Sequence, residues 1–157
     1  MDHYRIIEAD YAFVGLKSDI AAVAPGVADM LRRDGLRVGL VMLEASDPLG
    51  PEIADLLECV LALGVIESAR TKGQIAPALL EILRKAAGAP DWHFPGRVPR
   101  VYSAVLNPGS MAPRAEHLID LAKAMHVYAP DRLVLMGEGL AKPARADLRP
   151  VRCAAVA

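Results

Sequence analysis

Arg37-Val38-Gly39-Leu40-Val41-Met42-Leu43 decides the fold. After the arginine it is continuously apolar rather than alternating, the pattern of a strand buried on both faces of a parallel sheet. Runs of the same kind lie upstream at Tyr11–Leu16 and downstream at Cys59–Glu67, Arg100–Leu106 and Arg132–Met136, with a helix-like stretch between each pair. This βα rhythm predicts an α/β fold, a parallel sheet covered by helices on both faces. Such a fold is a scaffold, and its chemistry has to be sought in its loops.

The segments between the strands read as helices. After Tyr11–Leu16, Ser18-Asp19 offers an N-cap and an acidic first turn, with the helix running to about Asp34 and stopping at Gly35. Pro25-Gly26 interrupts it. Either the helix kinks there, or Pro25 occupies the first turn of a shorter helix that begins near Val23. Asp47-Pro48-Leu49-Gly50-Pro51 is a turn cluster, with Pro51 placed to start a short helix through Leu57. Ile75–Ala87 has apolar residues at 75, 79, 82, 83 and 86 and reads as a helix. Arg114–Met125 does too, with Leu118, Ile119, Leu121, Ala122 and Met125 on one side. Gly88–Pro99 is the longest irregular stretch. Tyr4–Ala9 is expected to be a short first strand. Residues 1–140 read as one domain and 141–157 as a C-terminal tail without periodicity; there is no internal repeat.

Composition narrows the function classes. The 157 residues carry 18 basic and 19 acidic side chains, a net charge of −1, which is no nucleic-acid footprint. Apolar residues make up 54%, above the roughly 45–50% of an average soluble domain. Either a sheet covered on both faces or a surface for a partner accounts for the surplus. No run reaches the length of a membrane span. The N-terminal Met1-Asp2-His3-Tyr4 has no signal-peptide pattern. Cys59 and Cys153 are far apart, fit a reducing cytoplasm, and are too few for a cysteine-only zinc or iron–sulfur site.

No complete catalytic set stands in the loops after the strands. Gly15-Leu16-Lys17-Ser18 lacks the dinucleotide fingerprint. The best anion candidate is Ser68–Gln74, where Arg70, Thr71, Lys72 and Gly73 bring two cations, a hydroxyl and a glycine to a helix N-terminus, a combination suited to phosphate or carboxylate. A plain solvated loop is the alternative. Asn107-Pro108-Gly109-Ser110 reads as a turn. Cys59, opening an apolar strand, reads as a buried inert thiol. Asp91 and His93 could form an acid–base pair, though adjacency in sequence does not orient them. His117 and His126 lack metal-pair spacing. Asp47 lacks the acidic cluster after the first strand that a phosphoacceptor needs.

Gly35-Leu36-Arg37-Val38-Gly39-Leu40-Val41, then the Pro48 turn, then Val65-Ile66-Glu67 with Gly73 opening a helix, resembles the C-terminal domain of transketolase-type, thiamine-diphosphate enzymes. Within that group the chain is most similar to the corresponding domain of pyruvate:ferredoxin and other 2-oxoacid:ferredoxin oxidoreductases. Tyr102–Pro113 followed by Arg114–Met125 is similar to that domain's last unit. The order and spacing of units over about residues 4–136 carry the resemblance. Ser18-Asp19 stands where the family has Gly-Ser, Asp47-Pro48-Leu49 where it has Arg-Pro-Phe, and Gly109 is the one glycine of the late turn, so no ligand contact is carried onto those loops.

The resemblance implies a three-layer αβα domain, a mostly parallel five-stranded sheet with a short antiparallel edge strand, for which Tyr4–Ala9 would serve. It also implies a non-catalytic accessory domain or small subunit that packs against neighbours in a hetero-oligomer. Thiamine diphosphate, Mg and iron–sulfur clusters would then sit in partner subunits or domains, and this chain would hold neither catalytic residues nor metal. A stand-alone α/β module binding a small anion through Arg70–Gly73 is the second expectation; a free-standing enzyme using Asp91 and His93 is the third.

Overall fold

A computed structural model describes residues 1–106, 113–127 and the strand 134–136. In chain order the elements are β1 (Asp2–Tyr4), β2 (Tyr11–Leu16), α1 (Lys17–Ile20), α2 (Ala24–Arg33), β3 (Val38–Leu43), α3 (Glu52–Leu57), β4 (Ala62–Glu67), α4 (Ile75–Ala87), β5 (Arg100–Leu106), α5 (Ala115–His126) and β6 (Val134–Met136). They form one sheet in the order β1-β3-β2-β4-β5-β6. Five strands run parallel, and β1 pairs antiparallel with β3 at the edge, Asp2 opposite Met42 and Tyr4 opposite Leu40. The chain is an αβα sandwich of the expected class.

Successive side chains of a strand point to opposite faces, so each apolar strand feeds two cores. Phe13, Leu40, Ile66 and Tyr102 pack under α1, α2 and α5 with Ile20, Leu31, Leu118 and Leu121. Val14, Val41, Leu63 and Val65 face α3 and α4 with Ile53, Leu57, Leu79 and Leu83. Two cores take up the apolar surplus. Among the described residues the exposed large apolar side chains are Met1, Ile7, Phe94 and Val127. No helix among the described residues is long and apolar enough to cross a membrane.

Glycines set how closely the layers approach. A Cβ at Gly64 of β4 would stand 2.6 Å from Leu121 Cδ2, so α5 lies directly on this strand. A Cβ at Gly39 of β3 would stand 2.7 Å from both Arg5 O and Ile6 Cα, where the 5–9 turn crosses the strand.

The edge strand is not where the sequence puts it. It spans Asp2–Tyr4, because Arg5 (φ 48°) and Glu8 (φ 64°) hold a left-handed turn that no strand contains. Ser18-Asp19 does not cap a long helix either. The N-cap of α1 is Leu16, without a side-chain bond, and α1 is one turn long. A separate α2 then starts after Val23 with Pro25 in its first turn, the second of the two arrangements open from sequence. It ends at Asp34, and Gly35 follows at φ 91°, the left-handed stop that glycine supplies. The 141–157 tail and the Asn107–Ser110 turn lie outside the described residues.

Candidate functional site

The chain leaves β2 toward β3 and leaves β4 toward β5, on opposite sides, so the carboxyl ends of the adjacent strands β2 and β4 form the topological switch point. Ligands of open α/β sheets bind outside this point. Here it is built from Leu16 and α1 on one side and from Glu67 and the Ser68–Gln74 loop on the other.

Glu67 ends β4 with its side chain toward α4 and is 0% exposed. Its Oε1 accepts from the backbone N–H of Gln74 (3.1 Å), Ile75 (2.6 Å) and Ala76 (3.2 Å), and its Oε2 from that of Gly73 (3.0 Å). These are the amides that a helix start leaves without intrahelical partners, and a negative charge there also opposes the positive end of the helix dipole. The protein thus supplies its own anion to the α4 N-terminus.

This bears on the anion loop read from sequence. Arg70, Lys72 and Gly73 are exposed and Thr71 half-buried. Thr71 Oγ1 accepts from Ser68 N–H at 3.0 Å, and Thr71 N–H donates to Ser68 O at 3.1 Å, which folds the loop into a compact turn. Gly73 sits at φ 74°, a conformation that favours glycine, and aims its N–H at Glu67. Arg70 and Lys72 make no ion pair among the described residues. An external anion would therefore meet these two side chains and not the helix amides.

On the other face of the sheet, Asp19 in α1 is 4% exposed. Ser18 Oγ donates to its Oδ1 at 3.1 Å, and its Oδ2 is buried without a partner. His117, in the first turn of α5, is 7% exposed, and its Nδ1 is likewise buried without a partner. Neighbouring Lys17 is engaged elsewhere, 2.7 Å from Asp2 Oδ2 and 3.3 Å from Glu44 Oε1. The bond and charge of Asp2 raise the Lys17 ammonium above its ordinary pKa, and Lys17 lowers the Asp2 carboxyl.

By sequence the chain matches no family model and no curated protein.

Other candidates fall apart in space or into structural roles. Asp91 lines an open cleft of about 440 Å³ with Glu52, Asp55, Glu58 and Trp92, whereas the His93 ring meets Phe94 edge-on at 4.9 Å and its backbone N–H donates to Glu58. No hydrogen bond joins the side chains of Asp91 and His93. His126 Nδ1 is 3.0 Å from Tyr11 OH, at the opposite end of α5 from His117. No group of three or more metal-ligating side chains occurs among the described residues. Cys59 is exposed, contrary to the buried thiol expected, because β4 begins at Ala62 and leaves Cys59 in the turn after α3.

Sequence reasoning missed the roles of Glu67, Asp19 and His117. The signal for Glu67 was a lone carboxylate closing an apolar strand, shortly before a helix that has no capping side chain of its own. Asp19 and His117 carried no such signal, since a first-turn acid and a helical histidine are ordinary surface residues until a neighbour covers them.

Proposed function

We propose that this chain is a non-catalytic accessory domain or small subunit of a thiamine-diphosphate-dependent 2-oxoacid:ferredoxin oxidoreductase, serving assembly. The parent reaction is coenzyme A-dependent oxidative decarboxylation of a 2-oxoacid such as pyruvate, with electrons passed to ferredoxin. The observation that carries the reading is the antiparallel edge strand β1 on an otherwise parallel αβα sheet, the architecture that the resemblance implies. One feature supports it: at the switch point the α4 N-terminus is filled by the chain's own Glu67. Thiamine diphosphate, Mg and iron–sulfur clusters belong on this reading to partner subunits, and the complex to the cytoplasm. The exposed apolar side chains do not add to the case, since the apolar surplus is spent on two cores.

The test is the mass of the native complex, with its subunits identified by mass spectrometry. Co-purifying thiamine-diphosphate and iron–sulfur subunits are the expected result. A monomer or simple homodimer overturns it.

A second reading, a small α/β module for an anionic ligand, rests on the exposed Arg70 and Lys72 without ion pairs among the described residues. On that reading phosphate or coenzyme A raises the melting temperature, and changing both residues to Ala abolishes the rise. An unchanged melting temperature with either probe ends it.

A further inference from the structure

The cleft of about 440 Å³ on the α3/α4 face carries one sign of charge. Glu52, Asp55 and Glu58 recur every third residue along α3 and its C-cap, and Asp91 joins them from the loop after α4. Glu52, Asp55 and Asp91 are exposed and Glu58 is half-buried. Glu58 accepts the backbone N–H of His93, and none of the four carboxylates forms an ion pair among the described residues. No described basic side chain lines the cleft; the rest of its wall is Pro51, Trp92 and alanines of α3 and of the α4 end. A recess lined by one sign of charge focuses its field and draws in the opposite charge. Small apolar residues beside carboxylates suit the methylene stem and charged head of an arginine or lysine.

The opposite charge stands in the chain's own last residues. After Ala141 come Lys142, Arg145, Arg149 and Arg152 against a single acid, Asp147, in a protein whose net charge is −1. Arg149-Pro150-Val151-Arg152 matches in spacing as well as in sign. Proline disfavours helix at the residue before it. In the extended polyproline form three residues make a turn at about 3.1 Å each, which sets two arginines three apart on one side, about 9 Å from each other. Along a helix, at 1.5 Å per residue, Glu52 and Glu58 are also separated by about 9 Å. An arginine fork and a carboxylate form the strong, charge-assisted kind of hydrogen bond. Reach is sufficient too. The end of α4 lines the cleft, α4 packs on β4 and β5, and β6 is the next strand. From Met136, at the end of β6, an extended chain spans about 43 Å to Arg149 at roughly 3.3 Å per residue. A domain of this length is about 40 Å across.

We infer that residues 141–157 dock in this cleft, with Arg149 and Arg152 paired to its carboxylates and their stems on the alanines and Trp92. The occupant is the chain's own segment because a tethered segment meets its site at an effective concentration of about millimolar, which a free basic peptide has to match. A partner that presents basic side chains to the cleft has to displace the tail. The inference does not rest on the assembly reading.

The experiment is paramagnetic broadening of amide NMR signals in the 157-residue chain. The sequence has two cysteines, so Cys59→Ser leaves Cys153, next to Arg152, as the one attachment point for a nitroxide. Cys59 is exposed, so its replacement leaves the cores untouched. The amides of Asp55, Glu58 and Asp91 are expected to lose intensity relative to the same sample with its label reduced. They are expected to recover it when Arg149→Glu and Arg152→Glu are combined. Equal intensity with the label oxidised and reduced overturns the docking, as does a loss that the double variant retains. Mixing spin-labelled chain with an unlabelled, isotope-enriched copy tests for exchange between molecules: broadening as strong in the mixture assigns the contact to a second copy and overturns docking of the chain's own tail. Should the Cys59→Ser chain not fold, the unlabelled wild type decides. Its Asp55, Glu58 and Asp91 amides shift on the double charge reversal if the tail docks and stay in place if it does not. No partner subunit takes part, so the outcome is independent of whether the complex is found.

Discussion

Glu67 and Asp19 are two buried carboxylates at the ends of neighbouring strands, one on each face of the sheet, and they are treated in opposite ways. Glu67 has four N–H donors arranged around it. Asp19 has one hydroxyl and an unpartnered oxygen. The same functional group at the same depth thus serves in one place to hold a helix and in the other to leave a bond unmade. The amides at the α4 start are thus closed by the chain's own side chain, and on that side of the switch point only the exposed Arg70 and Lys72 are left to meet an outside anion.

The largest effect tests the closed side. Glu67→Ala removes the charge and leaves four amides at the α4 start without their acceptor, so it should cost about 3 kcal/mol or more. Urea unfolding measures this, and a loss below about 1 kcal/mol would show that α4 does not depend on the internal cap. Glu67→Gln, which keeps one acceptor oxygen, should lie between the two.

Gly64→Ala comes next. Its Cβ would enter the Leu121 side chain that holds α5, and with it His117, against β4. Overpacking of this kind costs about 1–3 kcal/mol. Adding Leu121→Ala should recover part of the loss; simple addition of the two losses would mean that α5 is not seated by this contact.

Asp19→Ala sharpens the contrast. If its carboxylate is held at a cost, thermal unfolding should show a melting temperature unchanged or raised, in contrast to the fall at Glu67. A fall as large as that of Glu67→Ala would make the two carboxylates equivalent and erase the distinction.

The smallest effect belongs to Asp2 and Lys17 at the surface. The folded-state pKa of Asp2 is lowered from its ordinary 3.8 by the bond to Lys17, so this contribution is present above that value and lost as pH falls through the folded pKa. Lys17 is raised from 10.5, so its share is present below that value and lost as pH climbs through the folded pKa. Asp2→Asn should therefore lower the melting temperature slightly at neutral pH and leave it unchanged in strong acid, as exposed ion pairs do.

The sheet was legible in the sequence because its strands are buried on both faces and so read as plain apolar runs. Tyr11–Leu16 and Arg100–Leu106 occur with the bounds they suggest, and Ile75–Ala87 is helical over its whole apolar period. The edge was less legible. Its pairing needs only backbone, and the left-handed residues that end it are Arg5 and Glu8, not a glycine that would have announced a turn. The anion loop was legible as composition, but its meaning turned on Glu67, whose role depends on a helix start that arrives only after a turn. Burial of Asp19 and His117 comes with helices whose next residues, Ile20 and Leu118, enter the same core over β2 and β4, a long-range fact that no local pattern encodes.

The position of β2 has a consequence for how the protein is made. This central strand, at Tyr11–Leu16, leaves the ribosome before both of its neighbours, which begin only at Val38 and Ala62. Until Glu67 has emerged, β2 is an uncovered apolar ribbon with at most one flank occupied. Nascent chains stalled before that point should recruit holdase chaperones and be cut readily by protease, and those stalled beyond α4 should begin to resist.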